Sequence, residues 1–493
     1  MKSSLATLEF DNSFVRELPG YYVRCRAEIV PQAHLIAVNI PLGQELGLHQ
    51  DSMTSPEATA IFSGNQVPPS ADPIAQAYAG HQFGGFSPRL GDGRALLLGE
   101  VIDIHGQRRD IALKGSGRTP FSRNGDGKCA LGPALREYLI SEAMAALGIA
   151  STRTLAVVTT GETIRRDRAL PGAVLTRVAA SHLRIGTFEY FAQHAGAEAV
   201  KKLADYAIAR HDPTLLASDQ PYLGLLQAVA NRQAELIARW LGVGFIHGVM
   251  NTDNMTISGE TIDFGPCAFL DAYHPDTVFS SIDHHGRYAY GQQAAIAQWN
   301  LARFAETLLP LLDPDSKRAI ELATRVLEDF PLRHEACWSD ILREKLGLDN
   351  QGDSAVDRKI AEDFLSLLKQ RRLDFTNSFR ALFSAAEGRS DALDHLCAAD
   401  SDFRAWRQVW EARQPNRSPA LLARMKHANP WLIPRNHQVE NALEAAVDRN
   451  NLAPFERLLA AIQSPFDERD AERDLTAPAS AAFNASFQTF CGT

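Results

Sequence analysis

The sequence predicts an α+β fold of two lobes, strands and glycine-rich loops first and an extended helical region after. Three observations carry the prediction. The first is a pair of apolar runs, Leu90 to Asp103 and Asp110 to Lys114, that read as strands joined at Gly106. The second is a long helical pattern, Tyr222 to Leu241, with Leu225, Leu226, Val229, Leu236, Ile237 and Trp240 on one face. The third is the polar stretch between these regimes and the helical remainder, FIHGVMNTDNMTISGETIDFGP, Phe245 to Pro266. At 493 residues the chain is long enough for two cores, and the division falls at residue 190: 1–190 as the strand-rich lobe, 191–493 as the helical lobe.

Composition narrows the function classes. The 50 Lys and Arg against 59 Asp and Glu leave a formal charge of -9, which gives no support for wrapping nucleic acid but allows a local basic pocket. The opening MKSSLATLEFDNS has no continuous apolar core, and no apolar run approaches a membrane span. Six cysteines are too sparse for a disulfide scaffold or a close-spaced zinc motif.

In chain order, YYVRCRAEI and HLIAVNI read as strands broken by Pro31 and Pro41, and NQVPPSADP (65–73) as irregular punctuation. Ile74 to Gly80 reads as a helical turn. Gly91-Asp92-Gly93 before Arg94 lets a backbone loop approach a phosphate, although the P-loop ending is missing and a plain turn reads equally well. The loop 116–130 carries Asp126, Gly127 and several basic residues; it either folds over a ligand or is a surface loop. A helix runs from Gly132-Pro133 to Gly148, with Glu137, Ile140, Met144 and Leu147 on one broadly apolar face. Residues 154–164 suggest a further hairpin. Arg177 and Arg184, seven apart, suit a polyanion or pairing with carboxylates. His274, His284 and His285 lack a third ligand pattern and read as structural. From 292 onward the chain reads as helical, with interruptions near Pro331, at Leu348 to Asp353 and at RQPNRSP (413–419), and an irregular last two dozen residues.

The chemistry concentrates in the central stretch. Met255, Ile257 and Ile262 flank a Ser258-Gly259-Glu260 tip, predicting a hairpin whose ends bring Asn254 and Asp263 to one cation. Asn254 stands seven residues after His247, the spacing of the protein-kinase catalytic loop, and Asp263-Phe264-Gly265 matches the metal-binding triplet of those enzymes. The place of the kinase base, two after His247, holds Val249, whereas Asp253 directly precedes Asn254. Ile111-Ala112-Leu113-Lys114 resembles the kinase strand that presents a nucleotide lysine, and Glu137 is the helix carboxylate placed to pair with it. Together these predict a protein-kinase-like bilobal fold.

AGHQFGGFSPRLGDGRA, KGSGRTPFSRNGDGKC, LREYLISEAM, GFIHGVMNTDNMTISGETIDFGPC, NPWLIPRN and the terminal CGT together resemble the selenoprotein-O-like (SelO/YdiU) family over nearly the whole chain. The resemblance implies a kinase-like fold that transfers AMP from ATP to Ser, Thr or Tyr hydroxyls of proteins, releasing pyrophosphate. It implies that Lys114, Asp126, Gly127, Arg177 and Arg184 hold a nucleotide reversed relative to kinases, with Gly91, Gly93 and Arg94 completing the pocket. Glu137 would orient Lys114, Asn254 and Asp263 would bind Mg²⁺ with Mn²⁺ able to substitute, and Asp253 would act as base. It also implies a redox disulfide between Cys267 and Cys491, restraining substrate access. The expected protein is a cytoplasmic monomer that engages neither membrane nor nucleic acid. Two other readings stay open: a phosphotransferase using Asp253, and a nucleotide-binding scaffold without activity.

Overall fold

Along Ala95–Ile102 and Arg108–Lys114 nearly every residue is buried, because the sheet they belong to is covered on both faces. Leu97, Ala112, Val157 and Leu175 point to a core shared with the helix Leu131–Ala146. The alternate residues Leu96, Leu98, Ile111, Leu113 and Val174 pack instead against Leu42, Leu46, Ile61 and Phe62 of the short N-terminal helices. The computed structural model describes residues 4–349, 352–398, 400–414 and 417–490.

The strands are β1 (Tyr22–Arg24), β2 (His34–Val38), β3 (Ile74–Gln76), β4 (Gly80–Gln82), β5 (Gly85–Ser87), β6 (Ala95–Ile102), β7 (Arg108–Lys114), β8 (Cys129–Ala130), β9 (Arg153–Arg165), β10 (Ala169–Ala179), β11 (Phe245–Ile246) and β12 (Ala268–Phe269). The described residues form an eight-stranded sheet ordered β1-β3-β6-β7-β10-β9-β2, with β8 on β10, and two small sheets, β4-β5 and β11-β12. The register sets Lys114 opposite Ala95 on one side and Leu175 on the other, and Arg177 opposite Ala112. The strand lysine and the first arginine therefore emerge from adjacent central strands.

Beyond the sheet the fold is helical. Pro221–Gly242 packs against Gln293–Leu312 and Ser316–Leu346, and further helices continue to Ile462. This is an α+β, kinase-like bilobal fold with a helical C-terminal extension. No helix among the described residues is long and apolar enough to cross a membrane.

Four expectations are corrected. Ile74–Gln76 is a fully buried strand, not a helical turn; it pairs with β1 and with Leu97. Pro331 does not break its helix: the carbonyl its missing N–H would have served, Leu327 O, accepts from Gln298 Nε2 at 2.8 Å, so the helix continues to Leu346. The predicted hairpin between Asn254 and Asp263 does not pair with itself. Its tip turns at Gly259, but Thr256 bridges to Arg184 and Thr261 to Ser151, because the neighbouring chain offers both arms backbone partners. The tail is not irregular throughout. Ala481–Ser486 is helical and Thr489 lies parallel to Ser280, its hydroxyl donating to Pro266 O at 2.7 Å.

Candidate active site

Five charged side chains meet where β7, β10 and the 131–146 helix face the central stretch. Lys114 Nζ donates to Glu137 Oε2 at 2.6 Å and to Asp263 Oδ1 at 2.7 Å. Arg177 Nε donates to Glu137 Oε1 at 2.8 Å and its Nη2 to Asp263 Oδ1 at 2.6 Å. Arg184 Nη1 reaches Asp263 Oδ2 at 3.1 Å and the carbonyl of Asp253 at 2.7 Å. Burial opposes ionisation of Asp263, but the charges of Lys114, Arg177 and Arg184 overcome it and hold the carboxyl well below its ordinary value. Glu137 is likewise held down against its burial by Arg177 and Lys114. Three cations face two carboxylates, so the cluster keeps an excess of positive charge suited to phosphate.

Asp253 lies in a 3-10 turn, Thr252–Asn254, beside this cluster. Its approach to β4 requires glycine: a Cβ on Gly80 would fall 2.4 Å from Asp253 Oδ1. That oxygen is buried without a hydrogen-bond partner among the described residues. Burial pushes the Asp253 carboxyl up to about 6, with the charge of Arg184 opposing. A carboxylate in this state is a competent proton acceptor near neutral pH. Val249, in the kinase-base position, is buried and apolar.

Asn254 Nδ2 donates to Val249 O at 3.0 Å, leaving the side-chain carbonyl oxygen as the atom available to a cation. Asn254 and Asp263 are oxygen donors of the kind hard divalent cations take, with phosphate and water supplying the other positions. No group of three or more His, Cys, Asp or Glu among the described residues is arranged to hold a metal. The donor set therefore fits magnesium bound with a nucleotide.

All the residues proposed from sequence for the nucleotide, the cation and the base line one cavity of about 400 Å³: Gly91, Gly93, Arg94, Lys114, Asp126, Gly127, Glu137, Arg177, Arg184, Asp253, Asn254 and Asp263. Gly91 has φ +71 and its α-carbon faces the Phe121 ring so closely that a Cβ would overlap it. Asp126 is tied by Arg166, whose Nη1 and Nη2 donate at 2.8 and 3.0 Å. Cys267 lies outside the cavity. Its buried thiol, pushed up to about 11 by burial, donates to Phe264 O at 3.1 Å, and its expected partner Cys491 lies outside the described residues.

Sequence reasoning missed Arg166, Tyr78 and Glu189. Tyr78 presents its ring to the Arg184 guanidinium, 4.7 Å from the centroid. Glu189 accepts from Thr252 Oγ1 and sits 2.5 Å from His81 Nδ1, fixing the residue before Asp253. Tyr78 stands just before the glycine-rich string that carries His81, and Glu189 lies five residues after Arg184; neither has a local pattern that marks it as part of the site.

A family model described as Protein adenylyltransferase SelO matches residues 4–463. A protein of Chromobacterium violaceum named Protein nucleotidyltransferase YdiU is 55% identical over 480 residues, covering 97% of this chain and 100% of that one. Proteins of the same name from Cereibacter sphaeroides and a Mycobacterium species are 55% and 54% identical over 489 residues, covering 99% of this chain and 100% of each relative. Identity at this level from end to end, on a chain whose sheet, cationic cluster and central turn form one cavity, means that the chain belongs to the SelO protein adenylyltransferase family.

Proposed function

We propose that this chain transfers AMP from ATP to Ser, Thr or Tyr hydroxyls of proteins and releases pyrophosphate. The observation that carries this reading is Asp253: a buried carboxylate with an unpartnered oxygen stands beside the cationic cluster, while the kinase-base position holds Val249. The acceptor hydroxyl oxygen forms a bond to the α-phosphorus, the bond from that phosphorus to the bridging oxygen breaks, and Asp253 takes the hydroxyl proton. Lys114, Arg177 and Arg184 bind the departing pyrophosphate, which requires the nucleotide's terminal phosphates to point at them. Asn254 and Asp263 would hold Mg²⁺, which supplies neutralisation of phosphate charge; Mn²⁺ suits the same oxygen donors. Asp126 and Gly127, with Gly91, Gly93 and Arg94, line the opposite part of the cavity. The proposed enzyme is a cytoplasmic monomer divided at residue 190, tested by cell fractionation, sedimentation and limited proteolysis.

The deciding experiment incubates purified protein and a generic protein acceptor with ATP labelled at the α or the γ phosphate. A mass gain equal to AMP less water, with α label only and lost in Asp253→Ala and Asp263→Ala, is expected. Transfer of γ label makes the chain a phosphotransferase, and ATP binding without transfer makes it a scaffold. Because the relatives' name leaves the base open, UTP is run in parallel; preference for UMP transfer would overturn the choice of ATP.

A further inference from the structure

The short hairpin β4–β5 begins at Gly80, against Asp253, and runs outward to a two-residue turn, Phe83-Gly84, between the paired Gln82 and Gly85. Both turn residues have positive φ, 51° and 85°. Such turns favour Asn, Asp or Gly, and an aromatic residue is strained there. Phe83 is nonetheless 38% exposed and Phe86, on the return strand, 41% exposed. The tip is anchored: the Phe83 N–H donates to Asn251 Oδ1 at 3.1 Å, and its ring meets Tyr288 edge-on at 5.1 Å.

Arg287, on the segment that follows Asp263-Phe264-Gly265-Pro266, completes this lip. Its guanidinium carbon lies 4.8 Å from the Trp299 ring centroid and 3.7 Å from where a Cβ on Gly84 would stand. Among the described residues Arg287 makes no ion pair, and its buried Nε has no hydrogen-bond partner. The nearby acids are committed elsewhere. Asp283 accepts the backbone N–H groups of Arg287 and Tyr288, and Glu306 pairs at 2.7 Å with Arg303, whose guanidinium also lies over the Trp299 ring, 4.9 Å from its centroid. Glu189 is engaged by His81 and Thr252.

We propose that this lip docks the acceptor: an acidic polypeptide segment lies across the hairpin, an apolar side chain against Phe83 and Phe86 and a carboxylate on Arg287, which delivers the neighbouring hydroxyl to Asp253. The proposal rests on the nucleotidyl-transfer reading, since that reaction requires a protein hydroxyl at Asp253, and the hairpin is the exposed element in contact with that residue. A guanidinium that rests on aromatic rings without a carboxylate partner selects a carboxylate, and the exposed rings beside it supply the apolar anchor. The strain at Phe83 is then maintained for contact.

The test uses full-length protein, α-labelled ATP and synthetic peptides holding one serine flanked by Glu, Ala or Lys. Wild type is expected to prefer the Glu set. Arg287→Glu should invert that preference towards the Lys set. Phe83→Asn relieves the strained turn while deleting the ring, so it should raise the KM for the Glu peptide roughly tenfold, the scale of one lost interface anchor. In both variants the KM for ATP should hold; the melting temperature should hold in Arg287→Glu and rise in Phe83→Asn. Equal use of Glu and Lys peptides by wild type, an unchanged preference in Arg287→Glu, or labelling of the enzyme alone overturns the docking proposal and leaves AMP transfer standing. Failure of wild type to label any peptide or protein acceptor overturns the transfer reading and this proposal with it.

Discussion

Lys114 Nζ lies within hydrogen-bond distance of two carboxylates at once, 2.6 Å from Glu137 and 2.7 Å from Asp263. The carboxylate we propose for a cation is therefore neutralised by the side chain we propose for phosphate. In the proposed reaction phosphate oxygens would take Lys114 and the cation would take Asp263, exchanging these partners. Arg177 and Arg184 would still pair with Asp263 when Lys114 turns to phosphate, and Glu137 would still pair with Lys114 when the cation takes Asp263, so each exchange leaves a buried partner in place.

The first prediction concerns stability. Asp263→Ala leaves Lys114, Arg177 and Arg184 facing Glu137 alone. Removing one partner of a buried pair is strongly destabilising, and since the Asp263 side chain retains 24% exposure we expect a loss of about 2 kcal/mol. Asp263→Asn, which keeps the acceptor oxygen, should lose less. Urea unfolding of the ligand-free proteins measures both, and metal-dependent turnover should vanish in the alanine variant.

The proposed base, Asp253, should set the pH dependence of transfer. Its carboxyl is raised by burial to about 6, and only the ionised form accepts a proton. As pH falls below that value, kcat/KM for the acceptor should drop roughly tenfold per unit, and above it the profile should be flat until another group titrates. Asp253→Ala should lower turnover by about 10² to 10⁴ and abolish this limb. Nucleotide affinity should be retained, as both cation ligands remain. Initial rates and an equilibrium nucleotide titration separate the two effects; loss of nucleotide binding with no separate effect on turnover would remove Asp253 from the role of base.

The candidate site was legible in sequence where one short segment carries the motif. The spacing from His247 to Asn254, the substitution at Val249 and the strand ending in Lys114 are local patterns, and the structure brings Lys114, Val249 and Asn254 to one cavity. What was not legible depends on partners far along the chain. Pro331 looks like a helix end until Gln298, from the preceding helix, satisfies Leu327 O. The Asn254–Asp263 arms look like a hairpin until residues 150–152 and 183–185 take their backbone groups. The Asp126–Arg166 pair joins segments 40 residues apart, and no periodicity announces it.

Asp271 anchors the C-terminal tail. Its Oδ2 accepts from Ala479 N at 2.9 Å and Asn484 Nδ2 at 3.1 Å, while Oδ1 accepts from the buried Arg435 at 2.6 Å. Asp271→Ala should loosen residues 477–487, while Thr489 stays bound to Ser280 and Pro266 and Asp374 keeps Arg435 paired. With two hydrogen bonds lost, chymotrypsin should cleave after Phe483 and Phe487 roughly tenfold faster than in wild type. Mass spectrometry of a timed digest reads the sites directly.

Lys345 carries the last prediction. It ends the helix Ser316–Leu346 fully buried, its ammonium over the rings of Phe375 and Phe379 at 5.3 and 4.3 Å and donating to Ala428 O at 3.0 Å. No carboxylate among the described residues forms an ion pair with it, and burial alone drives its pKa down to about 7 from 10.5. Between those values the unfolded chain binds a proton that the native state has lost, so wild-type stability rises with pH through this window. Below about 7 both states are charged and the full burial cost is present. Lys345→Met fills the same apolar space with no titrating group. It should stabilise the protein by about 1 kcal/mol at pH 7 after the lost hydrogen bond and ring contacts are counted. That gain should shrink, and then reverse, as pH approaches 10. Urea unfolding of both proteins across this range measures the difference; a gain independent of pH would mean that Lys345 does not change its protonation on folding.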